Sequence, residues 1–194
     1  MNINWQLREL NLKVVYYGPA LSGKTTNLEK IYASLSPNNR GELISLKTRE
    51  DRTLFFDFLQ IELGKISGLQ PKIHLYTVPG QTYYEASRKI VLRGTDGVVF
   101  VADSNPERLL ANKVSWQDLH RHLDEFGYSM HDIPVVFQCN KQDLPNAIQP
   151  QLLKQELSAN GLQVFSAVAM NGQGVFDTLK AITMSVISQV QQIA

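Results

Sequence analysis

Short apolar runs alternate with stretches of helical period along most of the chain. The runs have the length of buried strands, and they lie at residues 12–17, 53–63, 72–78, 98–102, 134–140 and 164–167. Helical patterns flank most of these runs. Strands separated by helices predict an α/β fold, in which a mostly parallel sheet is wrapped by helices.

One pair of runs departs from this alternation. Only the turn at 64–71 separates the runs at 53–63 and 72–78, so we expect these two strands to be antiparallel. Residues 43–46 are a weaker candidate for extended structure. Residues 5–10 are a candidate for an extra edge strand before the first core strand.

Helical periodicity is clearest at 25–35 and in the last twenty residues. The first of these stretches is ended by Ser36-Pro37-Asn38-Asn39. In the second, apolar residues recur at three- and four-residue steps from Val175 onward. They are Leu179, Ile182, Val186, Ile187 and Val190. This spacing predicts a closing amphipathic helix.

Composition fits a single domain spanning residues 1–194. With 43% apolar residues, the chain can bury a full core without disulfides or a structural metal. Its 19 basic and 18 acidic side chains give a net charge of +1. This balance gives no overall positive field that would attract nucleic acid or anionic lipid, so any affinity for phosphate must come from a local site.

The sequence carries no pattern for export or lipid attachment. The first residues lack the basic-then-apolar order of a signal peptide, position 2 is not glycine, and the last residues include no cysteine. The only cysteine, Cys139, lies inside an apolar run, which favours a small core residue over a nucleophile. We expect a cytoplasmic protein without a direct membrane anchor.

Residues 18–25 match the phosphate-loop pattern G-x-x-x-x-G-K-[ST] in full. Glycines let the backbone curl until several amide N–H groups point into one concavity, where phosphate oxygens can lie. Lys24 would reach the terminal phosphates, and the Thr25 hydroxyl would bind Mg²⁺. An ordinary glycine-rich turn is the alternative, but here a strand precedes the loop and a helix follows it. The predicted contacts are Gly18, Ala20, Leu21, Ser22, Gly23, Lys24, Thr25 and Thr26.

A second motif, Asn140-Lys141-Gln142-Asp143, directly follows a buried run and selects the base. The Asp143 carboxylate can accept from both N1–H and the N2 amino group of guanine, a pair of donors that adenine lacks. Asn140 would brace the loop, and the stem of Lys141 would cover the purine face. The segment Ser166-Ala167-Val168 would place a backbone N–H against the guanine carbonyl oxygen. The alternative interpretation is a polar loop that leads into the next turn.

Taken in order, these motifs resemble the Ras-like small GTPases, and more closely their bacterial MglA-type (mutual gliding motility) branch. The similar segments lie at 15–19, 51–58, 74–81, 140–147 and 174–180. The string His-Leu-Tyr-Thr-Val-Pro-Gly-Gln at 74–81 is much more specific than a phosphate loop. The resemblance covers essentially the whole chain.

The resemblance implies a Ras-like P-loop G domain of three α/β/α layers with a mostly parallel, six-stranded sheet. It implies a molecular switch that binds GTP or GDP with Mg²⁺ and hydrolyses GTP. A roadblock-type, MglB-like protein, acting as a homodimer, is the activating partner that the resemblance implies, in the context of cell polarity or motility. Exchange factors and effectors are further candidate partners.

The resemblance also assigns the hydrolytic step, in which Lys24 takes part. Thr53 fits the switch threonine that closes on Mg²⁺ and the γ-phosphate, so it is a metal ligand together with Thr25. Gln81 fits the residue that orients the attacking water, and Gly80 beside it is a further nucleotide contact. Arg52 resembles an arginine finger supplied by the same chain. Alternatively, Arg52 is one charge in a solvated run.

Two positions depart from the usual Ras-like pattern. Thr77 stands where an aspartate normally steadies a magnesium-bound water; Asp57 or Asp103 could compensate, although a structural role is the simpler interpretation of each. Ala20 replaces a glycine, and its methyl group can obstruct hydrolysis, so we expect slow intrinsic turnover. The same departures motivate an alternative, a GTP-binding scaffold with little hydrolysis. The motif at 140–143 argues against an ATPase or a small-molecule kinase.

Aromatic residues cluster around the two inferred switch segments. They are Phe55, Phe56, Phe58, Tyr83 and Tyr84. Aromatic side chains often anchor interfaces, but the alternation along a strand also buries every second side chain. Tyr83 and Tyr84 are the stronger candidates for contact with a partner.

Overall fold

The computed structural model describes residues 2–46, 56–66 and 68–193. In this part of the chain, eight strands form one sheet. They are β1 (Asn2–Asn4), β2 (Glu9–Tyr17), β3 (Arg40–Leu46), β4 (Phe56–Glu62), β5 (Gln70–Thr77), β6 (Gly97–Asp103), β7 (Val135–Asn140) and β8 (Gln163–Ser166). Their order in the sheet is β3-β4-β5-β2-β6-β7-β8, and β1 pairs with β2.

Helices cover both faces of the sheet. They are α1 (Lys24–Ser34), α2 (Glu85–Leu92), α3 (Leu109–Glu125), α4 (Pro150–Glu156) and α5 (Val175–Ile193). One apolar core joins the sheet to α1 and α5 and includes Leu28 and Ile182. The other joins it to α2, α3 and α4 through residues such as Trp116 and Leu153. The three-layer α/β/α fold expected from the sequence is therefore confirmed.

The strand directions also agree with the sequence pattern. Strand β2 runs parallel to both β5 and β6, and the β6–β7 and β7–β8 pairs are parallel as well. Strands β4 and β5 form the expected antiparallel pair. All seven residues of β6 and all six of β7 are buried, as central strands covered on both faces require.

Two strands extend the expected set of six. The candidate at 43–46 is part of β3, which pairs antiparallel with β4. The extra N-terminal strand is also present, but it occupies Asn2–Asn4 and not 5–10. Residues 5–8 form the turn that leads into β2, where Arg8 adopts a left-handed φ of 53°. Such a turn lets the chain reverse and pair back onto β2.

A buried polar network connects α1, β7 and α5 below the end of the sheet. Gln138 on β7 exchanges two hydrogen bonds with Asn27, at 2.9 and 3.0 Å, and donates a third to Thr178 at 2.9 Å. All three side chains are fully buried. Because each polar group has a partner, this network fixes α1, and hence the loop before it, relative to the sheet.

Candidate functional site

The loop between β2 and α1 curls tightly at the carboxyl end of the central strand. Gly18 has a φ of 144° and Gly23 a φ of 100°, both in the region that favours glycine. A Cβ at Gly18 would collide with the Val101 carbonyl, and one at Gly23 would collide with the Asn140 side chain. Each glycine is therefore required by conformation and by space.

The end of α1 that faces this loop is open to an anion. Its first residue follows Gly23, which provides no side-chain cap, and no acidic residue lies in the first turn. The N–H groups of that turn and the helix dipole both favour negative charge. Ser22 is fully buried, and its hydroxyl has no hydrogen-bond partner among the described residues. A phosphate oxygen would satisfy these groups.

Lys24 lies beneath the loop with its charge held by backbone carbonyls. Its Nζ donates to Gly18 O at 2.9 Å and to Pro19 O at 2.7 Å, and the side chain is 7% exposed. Burial, followed by the nearby Arg88 guanidinium, lowers the pKa of Lys24 to about 7, against a smaller opposing effect of Asp57. A phosphate would stabilise the charged form that burial disfavours.

Oxygen ligands converge next to Lys24. The Thr25 hydroxyl donates to Asp57 at 2.6 Å, and Asp57 also accepts from Ser45 at 2.6 Å and from Thr77 at 2.9 Å. The Asp57 backbone N–H donates back to the Thr77 hydroxyl at 2.8 Å. A carboxylate and hydroxyls are the hard donors that Mg²⁺ prefers, so this set fits that ion. Thr77 therefore lies against a carboxylate that comes from the neighbouring strand.

Asn140, at the end of β7, connects the phosphate loop to the base motif. Its Nδ2 donates to Ser22 O at 2.7 Å, and its Oδ1 accepts from the Ala169 N–H at 2.8 Å. Lys141 has a left-handed φ of 67°, and its Nζ lies 2.6 Å from the Asp103 carboxylate. Asp143 is exposed at the same end of the sheet and is open to a ligand.

The segment after β8 is expected to offer a backbone N–H to the base. The N–H of Ala167 donates to Cys139 O at 2.9 Å, and the N–H of Val168 donates to Gln173 O at 3.0 Å. Each of these two groups thus completes a bond within the protein. Ser166 is the last residue of β8. The segment that reaches the base motif is the turn at Ala169–Asn171, which sequence reasoning missed.

Gly80 and Gln81 lie directly over the phosphate loop. A Cβ at Gly80 would collide with the backbone of Ala20, so only glycine permits this approach. Gln81 lines two adjoining cavities of about 370 and 410 Å³, the second of which also contains Lys24. Buried Arg88 donates to Gln81 O at 2.5 Å and lies 3.3 Å from Asp118 on α3. The sequence does not single out Arg88, because its position in a helical pattern does not indicate a contact with Gln81.

Two predicted catalytic residues, Arg52 and Thr53, lie outside the described residues, as does Phe55. The remaining predicted residues converge on the carboxyl ends of β2, β5, β7 and β8. This edge contains a curled loop, a buried lysine, a carboxylate-hydroxyl cluster and a base motif on neighbouring strands. Comparison with known proteins shows to which family a chain with this combination belongs. A family model described as the ADP-ribosylation factor family matches residues 2–186.

The chain belongs to the ADP-ribosylation factor family. It is also 52% identical over 190 residues to the mutual gliding-motility protein MglA of Myxococcus xanthus (strain DK1622). That match covers 98% of this chain and 97% of its relative. The resemblance to MglA-type, Ras-like small GTPases that the motifs indicated is confirmed. This member of the family is a small GTPase, and its family binds guanine nucleotide.

One other expectation, the core position of Cys139, can be compared with the structure. Cys139 is fully buried, and burial raises the pKa of its thiol to about 12, in keeping with a core residue. In the described ranges, none of the helices combines the length and the apolar character required to cross a membrane.

The lowered pKa of Lys24 predicts a pH dependence of stability for the nucleotide-free protein. The unfolded chain keeps the lysine proton up to its ordinary pKa of 10.5, whereas the folded protein releases it near 7. The unfolded state therefore binds more protons between these values. The free energy of unfolding should rise from pH 7 to pH 9 by up to about 2 kcal/mol on this account.

Denaturant titrations at pH 7, 8 and 9 measure this effect, with Lys24→Met as the reference. The difference between wild type and variant isolates the lysine from other titrating groups. Equal slopes against pH in the two proteins would show that Lys24 is not held in a disfavoured charged state.

Proposed function

We propose that this small GTPase is a magnesium-dependent GTP/GDP switch, built as one G domain over residues 1–194 and located in the cytoplasm. The observation that carries the proposal is the pair of hydrogen bonds that the Asn140 side chain makes, one as donor and one as acceptor. They hold the phosphate loop through Ser22 and the base side through Ala169. One side chain thus sets the distance between the two halves of the nucleotide site.

Base selection rests on Asp143. It follows Asn140 by three residues, at the edge of the sheet where the phosphate loop also lies. In that position its carboxylate accepts two guanine donors, and the left-handed turn at Lys141 directs the motif toward the ligand. The Lys141 stem covers the purine face while its Nζ stays paired with Asp103.

Guanine recognition predicts a preference of at least about a hundredfold for GDP over ADP, because a site built for hydrogen bonds rejects a base that leaves them unpaired. Competitive titration against a fluorescent GDP analogue measures both affinities. Asp143→Ala should lose most of this preference while keeping its affinity for ADP. Comparable affinities of the wild type for GDP and ADP would refute guanine selection.

Magnesium binding is assigned to the Thr25 hydroxyl and, outside the described residues, to Thr53. Asp57 supports this site. The Thr25 hydroxyl can offer a lone pair to the ion while its proton is directed to Asp57, 2.6 Å away. Asp57 thus provides the charge that Thr77 lacks, whereas Asp103 is already paired with Lys141. When bound, Mg²⁺ would neutralise phosphate charge.

Asp57→Asn should weaken Mg²⁺ binding about tenfold, since groups that hold a metal ligand typically affect affinity by this amount. The readout is the Mg²⁺ concentration that half-maximally slows release of fluorescent GDP. Asp124→Asn, which alters an exposed carboxylate on α3, serves as the control. An unchanged Mg²⁺ dependence in Asp57→Asn would remove Asp57 from the metal site.

Hydrolysis is assigned to Gln81, which would orient water, and to Arg52, which would stabilise the charge of the transition state. Gln81 lies beside the phosphate loop, where Arg88 holds its backbone carbonyl. Gly80 contacts the loop closely at Ala20. Slow intrinsic turnover is assigned to the Ala20 methyl group and to uncharged Thr77, and an activator would reorganise the switch.

The activator that we propose is a roadblock-type, MglB-like homodimer, and the process is cell polarity or motility. The 52% sequence identity to a mutual gliding-motility protein supports the motility context. A partly exposed aromatic face on β4 and β5 suits such a contact. Phe58 lies 4.9 Å from the Tyr76 ring and 5.9 Å from the His74 ring. Tyr83, which is 74% exposed and lines a cavity with Gln81, is a second aromatic candidate for contact with the partner.

Arg52→Ala tests whether this chain supplies its own arginine finger. With the partner present, single-turnover hydrolysis should slow by about a thousandfold or more, the usual worth of such an arginine. Pull-down of the partner on protein loaded with a GTP analogue should stay unchanged, which separates catalysis from binding. If the partner accelerates hydrolysis by the variant as much as by the wild type, Arg52 is not the arginine finger.

A further inference from the structure

An arginine at the start of α3 reaches the phosphate loop from outside the nucleotide site. Arg108 ends the short turn Pro106–Arg108, and its Nη2 donates to the carbonyl of Ala20 at 2.8 Å. The turn is fixed by Asn105, whose side chain accepts from the Glu107 N–H at 3.0 Å. Arg108 is 35% exposed, so this contact is only partly shielded from water.

The peptide that Arg108 holds is conformationally strained. Leu21, the next residue, has a φ of 64°, a left-handed value that costs a residue with a Cβ about 1 kcal/mol or more. Its side chain is 84% exposed, so packing cannot hold this conformation. Strained residues persist only where surrounding contacts determine them. The Arg108 hydrogen bond to Ala20 is such a contact.

The direction of this hydrogen bond matters for phosphate binding. In a planar trans peptide, the carbonyl and the following N–H point in opposite directions. A carbonyl of Ala20 that is drawn outward to Arg108 therefore directs the Leu21 N–H inward, toward the cradle. Loss of the outward hydrogen bond would let this peptide rotate.

A buried carboxylate holds the arginine in turn. Asp103 is 1% exposed and lies 4.0 Å from Arg108 Nε and 2.6 Å from Lys141 Nζ. Its backbone is fixed on both sides by Asn112, through hydrogen bonds of 2.9 and 2.8 Å. One rigid anion thus positions a cation of the base motif and a cation that contacts the phosphate loop.

We propose that Arg108 is a positioning residue for the phosphate loop, which keeps the Ala20–Leu21 peptide turned so that its N–H serves the bound nucleotide. This inference rests on the proposed nucleotide site. It assigns a part in retaining nucleotide to the turn that precedes α3, although Arg108 does not touch the ligand in the proposed site.

Release of fluorescent GDP tests the proposal. Arg108→Ala should accelerate release about tenfold, which is the value of one charge-assisted hydrogen bond. Arg108→Lys should lie between this variant and the wild type, because an ammonium lacks the fork that reaches both Ala20 and Asp103. Lys113→Ala is the matched control: Lys113 is on α3, the helix that directly follows Arg108, is 39% exposed and pairs with Glu156. It should release GDP at the wild-type rate.

A double-mutant cycle separates positioning from a general loss of stability. Glycine adopts a positive φ without strain, so in a Leu21→Gly background Arg108→Ala should accelerate release much less than in the wild type. Equal acceleration in both backgrounds, or a wild-type rate in Arg108→Ala, overturns the positioning role. Failure of the unmodified protein to retain GDP would instead refute the proposed function, and this inference would fall with it.

Discussion

The arrangement depends on one side chain, Asn140. It ends a fully buried strand, and its amide group is shared between the phosphate loop and the turn after β8. The fit is close enough that Gly23 has no room for a Cβ beside it. Because Asn140 has both a donor and an acceptor, it satisfies two buried backbone groups at once. Two loops more than a hundred residues apart in sequence are thereby held as one site.

Around this connection, the scaffold holds several groups in states that are unfavourable without a ligand. Lys24 is buried with a depressed pKa, Leu21 is left-handed, and the Ser22 hydroxyl is unpaired among the described side chains. Each cost is the kind that a phosphate group or its counter-ion relieves. The network of Asn27, Gln138 and Thr178 beneath the loop keeps α1 in place, so these groups cannot relax by a shift of the helix.

The sequence was a good guide to whatever depends on local pattern. Alternating strands and helices predicted the layers, and the spacing of motifs predicted which loops meet. Contacts between residues that are distant in sequence could not be predicted in this way. Nothing local indicates that the Asp57 carboxylate lies against the Thr25 hydroxyl, or that Arg88 holds the Gln81 carbonyl. The backbone pairing of Ala167 and Val168 after β8 cannot be inferred from residue type either. The roles of Arg52 and Thr53 stay predictions, outside the described residues.

The most direct test of this account is the affinity of Asn140→Ala for GDP, measured by calorimetry on protein shown to be folded by circular dichroism. Two buried backbone groups lose their partner in this variant, and each such loss costs about 1–3 kcal/mol. We predict that affinity for GDP falls by at least about a hundredfold, since base and phosphate are no longer held at a fixed distance. A folded variant that binds GDP within about twofold of the wild type would contradict the account.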